Sequence, residues 1–600
     1  MEEEPSARSW RRFARLKPDR KKIRRRARKI ESATLKHAHR FIIRRWENVK
    51  HVRRFALGWL LLVGLLIGVS GLQMLSYRHA LMKTGPVSGG TYAEAVTGPL
   101  ETINPLFAAT SAEQSASRLI FASLLSYDSS NHLRGELAAS WRSEEQGKRY
   151  IVDLRQDLTW HDGQPLTADD VVFTVERIKN PLTRANQSLY RSWTSIKVSK
   201  LSDYSLAFDL SAPYAPFPHA LTFGILPKHL LGDIKPESLR EADFNRSPVG
   251  AGPYAFSRLQ VIDPAEDRLV LYLNANQRFV RGTPKIDRFQ LHVFRDSERI
   301  RKAFLAREVN AGVGLTSEDL HAITERQPRA RVVDTTIYDG VYSLLRTDSV
   351  YLQDRNVREA LRVGLDRKAV IEAIRGNGKV LEGPLLPEQV PSLANKRQPA
   401  YSAQQAATLL DTAGWQLRDG KRYKEATPLS LIVVAPQTGD YPKVMEVVAK
   451  QWRELGIEVE TQLVPAENLY QNVLLPRMYD VLIYELALGA DPDVYPYWHS
   501  SQADPRLRNL SNYRSTIADE ALASAQTRSE TSLRNIKYET FVDTWLRDVP
   551  AIALYKPTLH YITTESVRTL PDGASVPDAE GRYNNVELWT VESGTVYNTP

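Results

Sequence analysis

The chain has 600 residues, 42% hydrophobic and 25% charged, with a mean hydropathy of −0.37 and no cysteine. That length exceeds what one core supports, so two or more lobes are expected, and the composition argues against both overall disorder and a multi-span membrane protein. The lack of cysteine excludes disulfides, thiol catalysis, cysteine-ligated zinc, iron–sulfur clusters and anchoring through an acylated cysteine.

Charge is unevenly spread. Residues 1–54 hold 20 Lys/Arg against 6 Asp/Glu, so the rest of the chain is net −4 although the whole is +10. A nucleic-acid-binding protein would carry its basic residues over the folded body, and no nucleic-acid partner is expected here. The basic tail, with RKKIRRRARK at Arg20–Lys29, reads as a solvated cytoplasmic segment that fixes orientation.

No charged residue occurs from Phe55 to Tyr77, and Phe55–Leu75 is a 21-residue apolar run. As a helix it is ~31 Å long, enough to cross a hydrocarbon core of ~30 Å. Arg44, Arg45, Lys50, Arg53 and Arg54 precede it, whereas only Arg78 and Lys83 follow closely. The positive-inside rule then places the N-terminus in the cytoplasm and the main body outside, as a single-pass cell-membrane protein. A cleaved leader is the competing reading. The basic stretch and the apolar run both exceed the usual leader dimensions, and the small-residue site Gly68-Val69-Ser70 falls inside the span. An anchor over 55–76 and a linker over 77–90 are therefore expected.

Beyond the linker, strand-like and helix-like runs alternate. Arg149–Leu154, Ser205–Leu210, Leu269–Leu273, Phe289–Phe294, Leu429–Val434 and Val481–Tyr484 are short and rich in β-branched or aromatic residues. Thr167–Arg177, Glu298–Ala306, Asn356–Ile374, Ala403–Ala413 and Pro442–Leu455 place apolar residues three and four apart. Thr167 with Asp170 fits a capping box, and Gly414 and Gly456 fall just past helix ends. The class is α/β or mixed α+β.

Catalytic signatures do not accumulate. The sequence has no nucleophile elbow, phosphate-cradling loop or zinc-binding His-Glu-x-x-His helix. His161-Asp162 precedes Gly163-Gln164-Pro165 and reads as a turn. Asp491-Pro492-Asp493 has too few oxygen donors for a hard cation. No catalytic residue, metal ligand or cofactor is nominated.

Seven ordered segments carry a resemblance. They are Thr102–Leu106 (TINPL), Leu137–Trp141 (LAASW), Leu154–Val172 (LRQDLTWHDGQPLTADDVV), Pro248–Tyr254 (PVGAGPY), Asn356–Asp366 (NVREALRVGLD), Ala406–Trp415 (AATLLDTAGW) and Asp491-Pro492. Together they resemble the bacterial extracellular solute-binding proteins of family 5, the peptide/nickel/opine branch serving ABC importers. The resemblance implies a two-lobed periplasmic-binding-protein-like fold with an extra inserted domain. Lobe I would use 88–125, 250–316 and 560–600, the inserted domain 126–249 and lobe II 317–559. It implies capture of a peptide-like ligand for ABC permease and ATPase subunits, with a membrane-anchored sensor of the same fold, or less favourably a hydrolase, as alternatives. Carried over by position, the candidate ligand-contacting residues are Asn104, Thr110, Glu485, Leu488, Gly489 and Asp491.

Two departures bear on the ligand. The family's peptide binders place an aspartate for the α-ammonium three residues before the Asp/Glu-Pro pair, and that position here is Leu488. A site tryptophan expected three residues earlier is Glu485, which is either a relocated cation anchor or a surface residue. If Val481–Leu488 is a strand, the two face opposite sides. After Leu429–Val434, where some relatives carry an arginine for the ligand's carboxylate, the chain reads Pro436–Asp440 with Lys443 the nearest base.

Overall fold

The computed structural model describes residues 46–571 and 573–597. The basic tail expected over 1–54 thus lies outside the described residues as far as residue 45. The chain divides into two compact units, one of 1–85 with 595–600 and one of 86–594.

In the first unit Trp46–Leu81 is one continuous helix. Its Phe55–Met74 stretch is, among the described residues, the one helix long and apolar enough to cross a bilayer. Side chains such as Leu61 and Ile67 face outward from it. The residues expected as an irregular linker differ from that reading. The helix runs through them to Leu81 and a strand follows over Met82–Val87, because Gly85-Pro86 is the first helix-breaking pair the chain meets.

The second unit is built on two large sheets. The first has eight strands in the order Ser575–Val576, Arg331–Ile337, Thr558–Thr563, Ala311–Val313, Thr91–Thr97, Arg288–Phe294, Arg268–Ala275 and Tyr254–Asp263. The second has six, in the order Lys379–Val380, Ala551–Lys556, Asp339–Leu345, Val481–Ala487, Ser430–Pro436 and Glu458–Val464. A four-stranded sheet over 138–209 forms a separate layer between the strand at Thr91–Thr97 and that at Tyr254–Asp263 in chain order.

Period-two patterning explains why the second sheet is covered on both faces. Val341, Val433, Ile483 and Leu554 point to one side, against Val444, Val448 and Trp452 of the helix Tyr441–Glu454. Tyr342, Leu344, Leu482 and Leu486 point to the other, against Trp498, Phe541 and Trp545. Both expected glycine stops hold: Gly414 and Gly456 adopt φ of +87° and +85° just beyond their helices. The expected helix Asn356–Ile374 divides instead into Arg355–Val363 and Arg367–Ala373, separated at Gly364.

The chain passes between the two sheets twice. Ile337 ends a strand of the first and Asp339 begins one of the second, and Lys556 and Thr558 stand in the reverse relation. The segments run side by side, since Thr336 pairs with Thr558 and Val341 with Tyr555. This corrects the boundary expected at 317. The helix Ser317–Arg326 and strand Arg331–Ile337 stay with the first sheet, and the crossing is at Tyr338.

The C-terminal segment is tied into the first sheet by a buried ion pair. Arg582 and Glu94 are both fully buried, and the guanidinium donates to Glu94 Oε1 at 3.0 and 3.2 Å. Tyr92, Tyr561 and Tyr583 also donate to this carboxylate, and Arg582 donates to Ser115 Oγ at 2.8 Å. Cutting one partner leaves the other charge in a low-dielectric interior. Arg582→Met should cost about 3–5 kcal/mol of stability in chemical denaturation, and the double variant with Glu94→Gln should recover part of that loss.

Candidate functional site

The glycines of PVGAGPY are set by close approach. A Cβ on Gly250 would stand 2.0 Å from the carbonyl oxygen of Ile120, and one on Gly252 2.6 Å from its carbonyl carbon. His161 locks this turn: its backbone N–H donates to Gly250 O, its Nδ1 accepts from Gly250 N–H at 3.2 Å, and its Nε2 lies 3.1 Å from Gly252 O. Burial lowers its pKa to about 4, so the ring is neutral at physiological pH. His161-Asp162 is therefore a structural clasp, with Asp162 bonded to His229 at 2.8 Å.

The candidate residues named from the sequence separate into two sets. Asn104 is wholly buried in the first lobe, where its amide donates to Asn245 Oδ1 at 2.9 Å and its carbonyl oxygen accepts from Leu106 N–H at 3.0 Å. Thr110 caps the helix Ser111–Ile120 and donates to Pro99 O at 2.7 Å. The polar atoms of both serve the lobe itself, which corrects their assignment as ligand contacts.

Leu488 is 4% exposed and packs with Tyr338 and Trp498. Its backbone N–H and that of Gly489 both donate to Tyr338 O, at 2.8 and 3.0 Å, and Gly489 O accepts from Gln389 at 2.8 Å. Gly489 adopts φ +66°, a region that favours glycine. These two residues therefore buttress the crossing segment.

Asp491 is held by Arg534 in a bidentate pair at 2.7 and 2.9 Å, with His219 Nε2 at 3.4 Å. Asp493 accepts from Tyr214 Oη at 2.9 Å and from Gln526 at 3.0 Å. His219 and Tyr214 lie between the strands at 205–209 and 254–263, so the Asp491–Asp493 loop joins the intervening domain to the second lobe. Ala215 N–H donating to Gln526 O at 2.7 Å completes that junction.

Glu485 is the candidate that faces open space. It is half-buried in the strand Val481–Ala487 and lines a cavity of about 1010 Å³. Tyr484, Tyr497 and Arg508 line the cavity with it, together with Ser188 and Arg191 of the intervening domain. Glu485 opposes Val341, which in turn opposes Tyr555, while Asp339 stands two residues before Val341. All four share one face of the sheet. Tyr441 Oη, at the start of the helix Tyr441–Glu454, donates to Glu485 Oε2 at 3.3 Å.

Asp339 lies in hydrogen-bonding contact with Glu485, which needs a proton on one of the two carboxyl groups. Burial, then the charge of Glu485, and further off Asp578 and Glu580, push the Asp339 pKa far above the ordinary carboxylate range. Asp578 caps the turn that follows it, accepting from Gly581 N–H at 2.6 Å. Burial, and then Asp578, raise Glu580 against the pull of Arg582. Arg191 and Arg508, which also line the cavity, form no ion pair with a carboxylate among the described residues. Arg191 donates to Arg506 O at 3.4 Å and Arg508 to Ser188 Oγ at 3.1 Å. The cavity is thus lined by one carboxylate, Glu485, and by several arginines, Arg191 and Arg508 among them. Among the described residues no group of three His, Asp or Glu side chains could hold a metal ion.

Asp339, Tyr441, Tyr497, Tyr555, Arg191 and Arg508 escape a reading of the sequence because they reach the site from separate elements. The one local signal was Glu485, an acidic residue inside an otherwise apolar strand.

Two sheet-based lobes joined by adjacent crossings, with a polar cavity against a third domain, define a two-lobed ligand-capturing protein. The chain belongs to the bacterial extracellular solute-binding proteins of family 5: the profile described as "family 5 Middle" matches residues 132–505, more than half of the chain. The oligopeptide-binding protein AppA of Bacillus subtilis is 27% identical over 518 residues, covering 84% of this chain and 92% of that protein. Its structure in complex with a nonapeptide superposes with a TM-score of 0.68 at 26% identity, covering 85% of this chain and all of that one. NikZ of Campylobacter jejuni, in complex with Ni(L-His), gives a TM-score of 0.68 at 25% identity over 83% of this chain and 99% of that one.

The raised pKa of Asp339 has a definite sign. The folded protein binds more protons than the unfolded chain between the ordinary carboxylate range and the raised value, so stability falls as pH rises through that window. In the ligand-free protein Asp339→Asn should therefore stabilise by roughly 1–2 kcal/mol at pH 8, with the gain fading below about pH 4. Thermal unfolding across that pH series reads it directly.

Proposed function

We infer that the protein captures a peptide-like ligand in the bipolar cavity beside Glu485 and delivers it to an ABC importer, while a single N-terminal helix holds it on the outer face of the cell membrane. The observation that carries this reading is the cavity itself. Residues of the second lobe and of the intervening domain line it together, among them the carboxylate of Glu485 and two arginines, Arg191 and Arg508, that have no carboxylate partner among the described residues. A zwitterionic chain complements that polarity, its ammonium toward Glu485 and its carboxylate toward Arg191 and Arg508. Tyr484 and Tyr497 supply flat apolar area with hydroxyl tips between the two ends. Binding of an oligopeptide by AppA supports the same ligand class for this relative. Capture fits the site better than turnover, since its carboxylates and tyrosines surround no nucleophile–base pair.

The test is to purify the full chain in mild detergent and analyse what denaturation releases. Mass spectrometry should find intact peptides at near-stoichiometric amounts, and progressive hydrolysis of added peptides would sink the reading. The lack of native cysteine gives a clean topology test. A cysteine introduced by Ser88→Cys should react with an impermeant maleimide on intact cells, and one introduced by Ser32→Cys only after lysis. The opposite pattern, or release of the body after loss of the helix, would overturn the anchored arrangement.

A further inference from the structure

We propose that Arg191 of the intervening domain and Arg508 of the second lobe form an anion clamp across the seam between the two, and that it selects peptides carrying a second carboxylate at their trailing end, such as one ending in glutamate or aspartate. This deepens the capture reading and rests on it.

Three observations converge. The first is that each arginine reaches over the seam to the other side. Ser188 and Arg191 stand one turn apart on the helix Gln187–Trp193, and Arg506 and Arg508 lie two residues apart in the loop that follows Gln502. Arg508 donates to Ser188 Oγ at 3.1 Å, and Arg191 donates to Arg506 O at 3.4 Å. This reciprocal pattern holds both guanidinium groups at one place on the seam, and neither meets a carboxylate among the described residues. Like charges so placed repel. Both side chains are exposed, so water answers them in the ligand-free protein.

The second observation places the charge of Arg508 at the cavity. Burial raises the pKa of Tyr484 and of Tyr497, and the charge of Arg508 opposes that rise in each. The guanidinium therefore stands by two rings that line the cavity.

The third is the balance of charge over the lining. Arg191, Arg477, Arg506 and Arg508 line the cavity against the single carboxylate of Glu485. Arg506 is offset by Asp504 at 3.3 Å. Arg477 is only 6% exposed, and it donates to the backbone oxygens of Asp504, Leu507 and Asn509 at 3.3, 3.1 and 3.4 Å, bracing the loop that presents Arg508. Three positive charges thus remain against one negative charge. A peptide with neutral side chains brings one ammonium and one carboxylate and leaves that excess as it was. A second carboxylate beside the first reduces the excess and gives each guanidinium fork a carboxylate of its own. Because the two forks belong to different domains, a ligand held by both also ties those domains together.

The experiment is titration calorimetry on the full chain in detergent, stripped of bound ligand, with four probes: Ala-Ala-Ala-Glu, Ala-Ala-Ala-Gln, the C-terminal amide of the latter, and glutarate. The glutamate peptide should bind roughly tenfold or more tightly than the glutamine peptide, and the amide should be weaker again. In Arg191→Gln/Arg508→Gln the glutamate and glutamine peptides should bind alike, with circular dichroism and thermal unfolding showing that the variant is folded. Arg418→Gln removes an exposed arginine outside the cavity and should keep the wild-type ratio, which separates the clamp from overall charge. Equal wild-type affinities for the glutamate and glutamine peptides would overturn the proposal while leaving peptide capture intact. Glutarate binding as tightly as the glutamate peptide would support the clamp and remove the peptide reading. Failure of all four probes, discrimination that persists in the double variant, or its loss in Arg418→Gln would overturn the proposal.

Discussion

Two chain segments passing side by side from one sheet to the other set the geometry on which the site depends. Tyr338 is the centre of that crossing. Its carbonyl accepts from Leu488 and Gly489, its N–H donates to Val576 O at 3.1 Å, and its hydroxyl accepts from Asn131 at 3.1 Å. One residue therefore touches the first sheet, the second sheet and the loop entering the intervening domain. Short crossings of this kind localise any change in lobe angle to a few backbone torsions. Groups next to them move least, and Asp339 is the next residue in the chain. Groups placed there keep their position relative to both lobes better than groups further from the crossing.

The same arrangement explains why the first lobe contains so costly a feature as a fully buried Arg–Glu pair. The strand Thr91–Thr97 and the segment around Arg582 are almost 500 residues apart, and only side chains join them. Burying an ion pair gives little net stability against an apolar equivalent, but it tolerates few alternative geometries. Glu94 is surrounded by three tyrosine hydroxyls and one guanidinium, which fixes the register of the C-terminal segment. Asp578 and Glu580 hang from that segment, with Asp578 accepting from Gly581 N–H at 2.6 Å. The ion pair thus fixes the place of both, and Arg582 also stands 4.0 Å from Glu580.

Much of the architecture was legible in the chain because local rules and global packing agree. The capping box at Thr167 and Asp170, the glycine stops at 414 and 456, and the strand at Arg149–Leu154 all follow from short-range chemistry. The apolar run at Phe55–Leu75 was equally plain. Of the residues expected at the site, Glu485 is the one that lines the cavity. Asn104 and Thr110 misled because side chains that cap turns and helices use the same polar residue types as side chains that hold ligands. Leu488 and Gly489 lie in a loop that braces the crossing through backbone N–H groups, which no residue pattern announces. Asp339 was hidden most deeply, since its neighbour Glu485 lies about 150 residues away and meets it only through the antiparallel pairing of two strands.

A ligand can draw lobes together only to the extent that it interacts better with the closed arrangement than with the open one. The contact between Asp339 and Glu485 is one source of such a difference, because desolvation there raises the cost of two bare carboxylates. The contacts of Tyr214 with Asp493 and of Arg508 with Ser188 then join the domains at a distance from the charge itself.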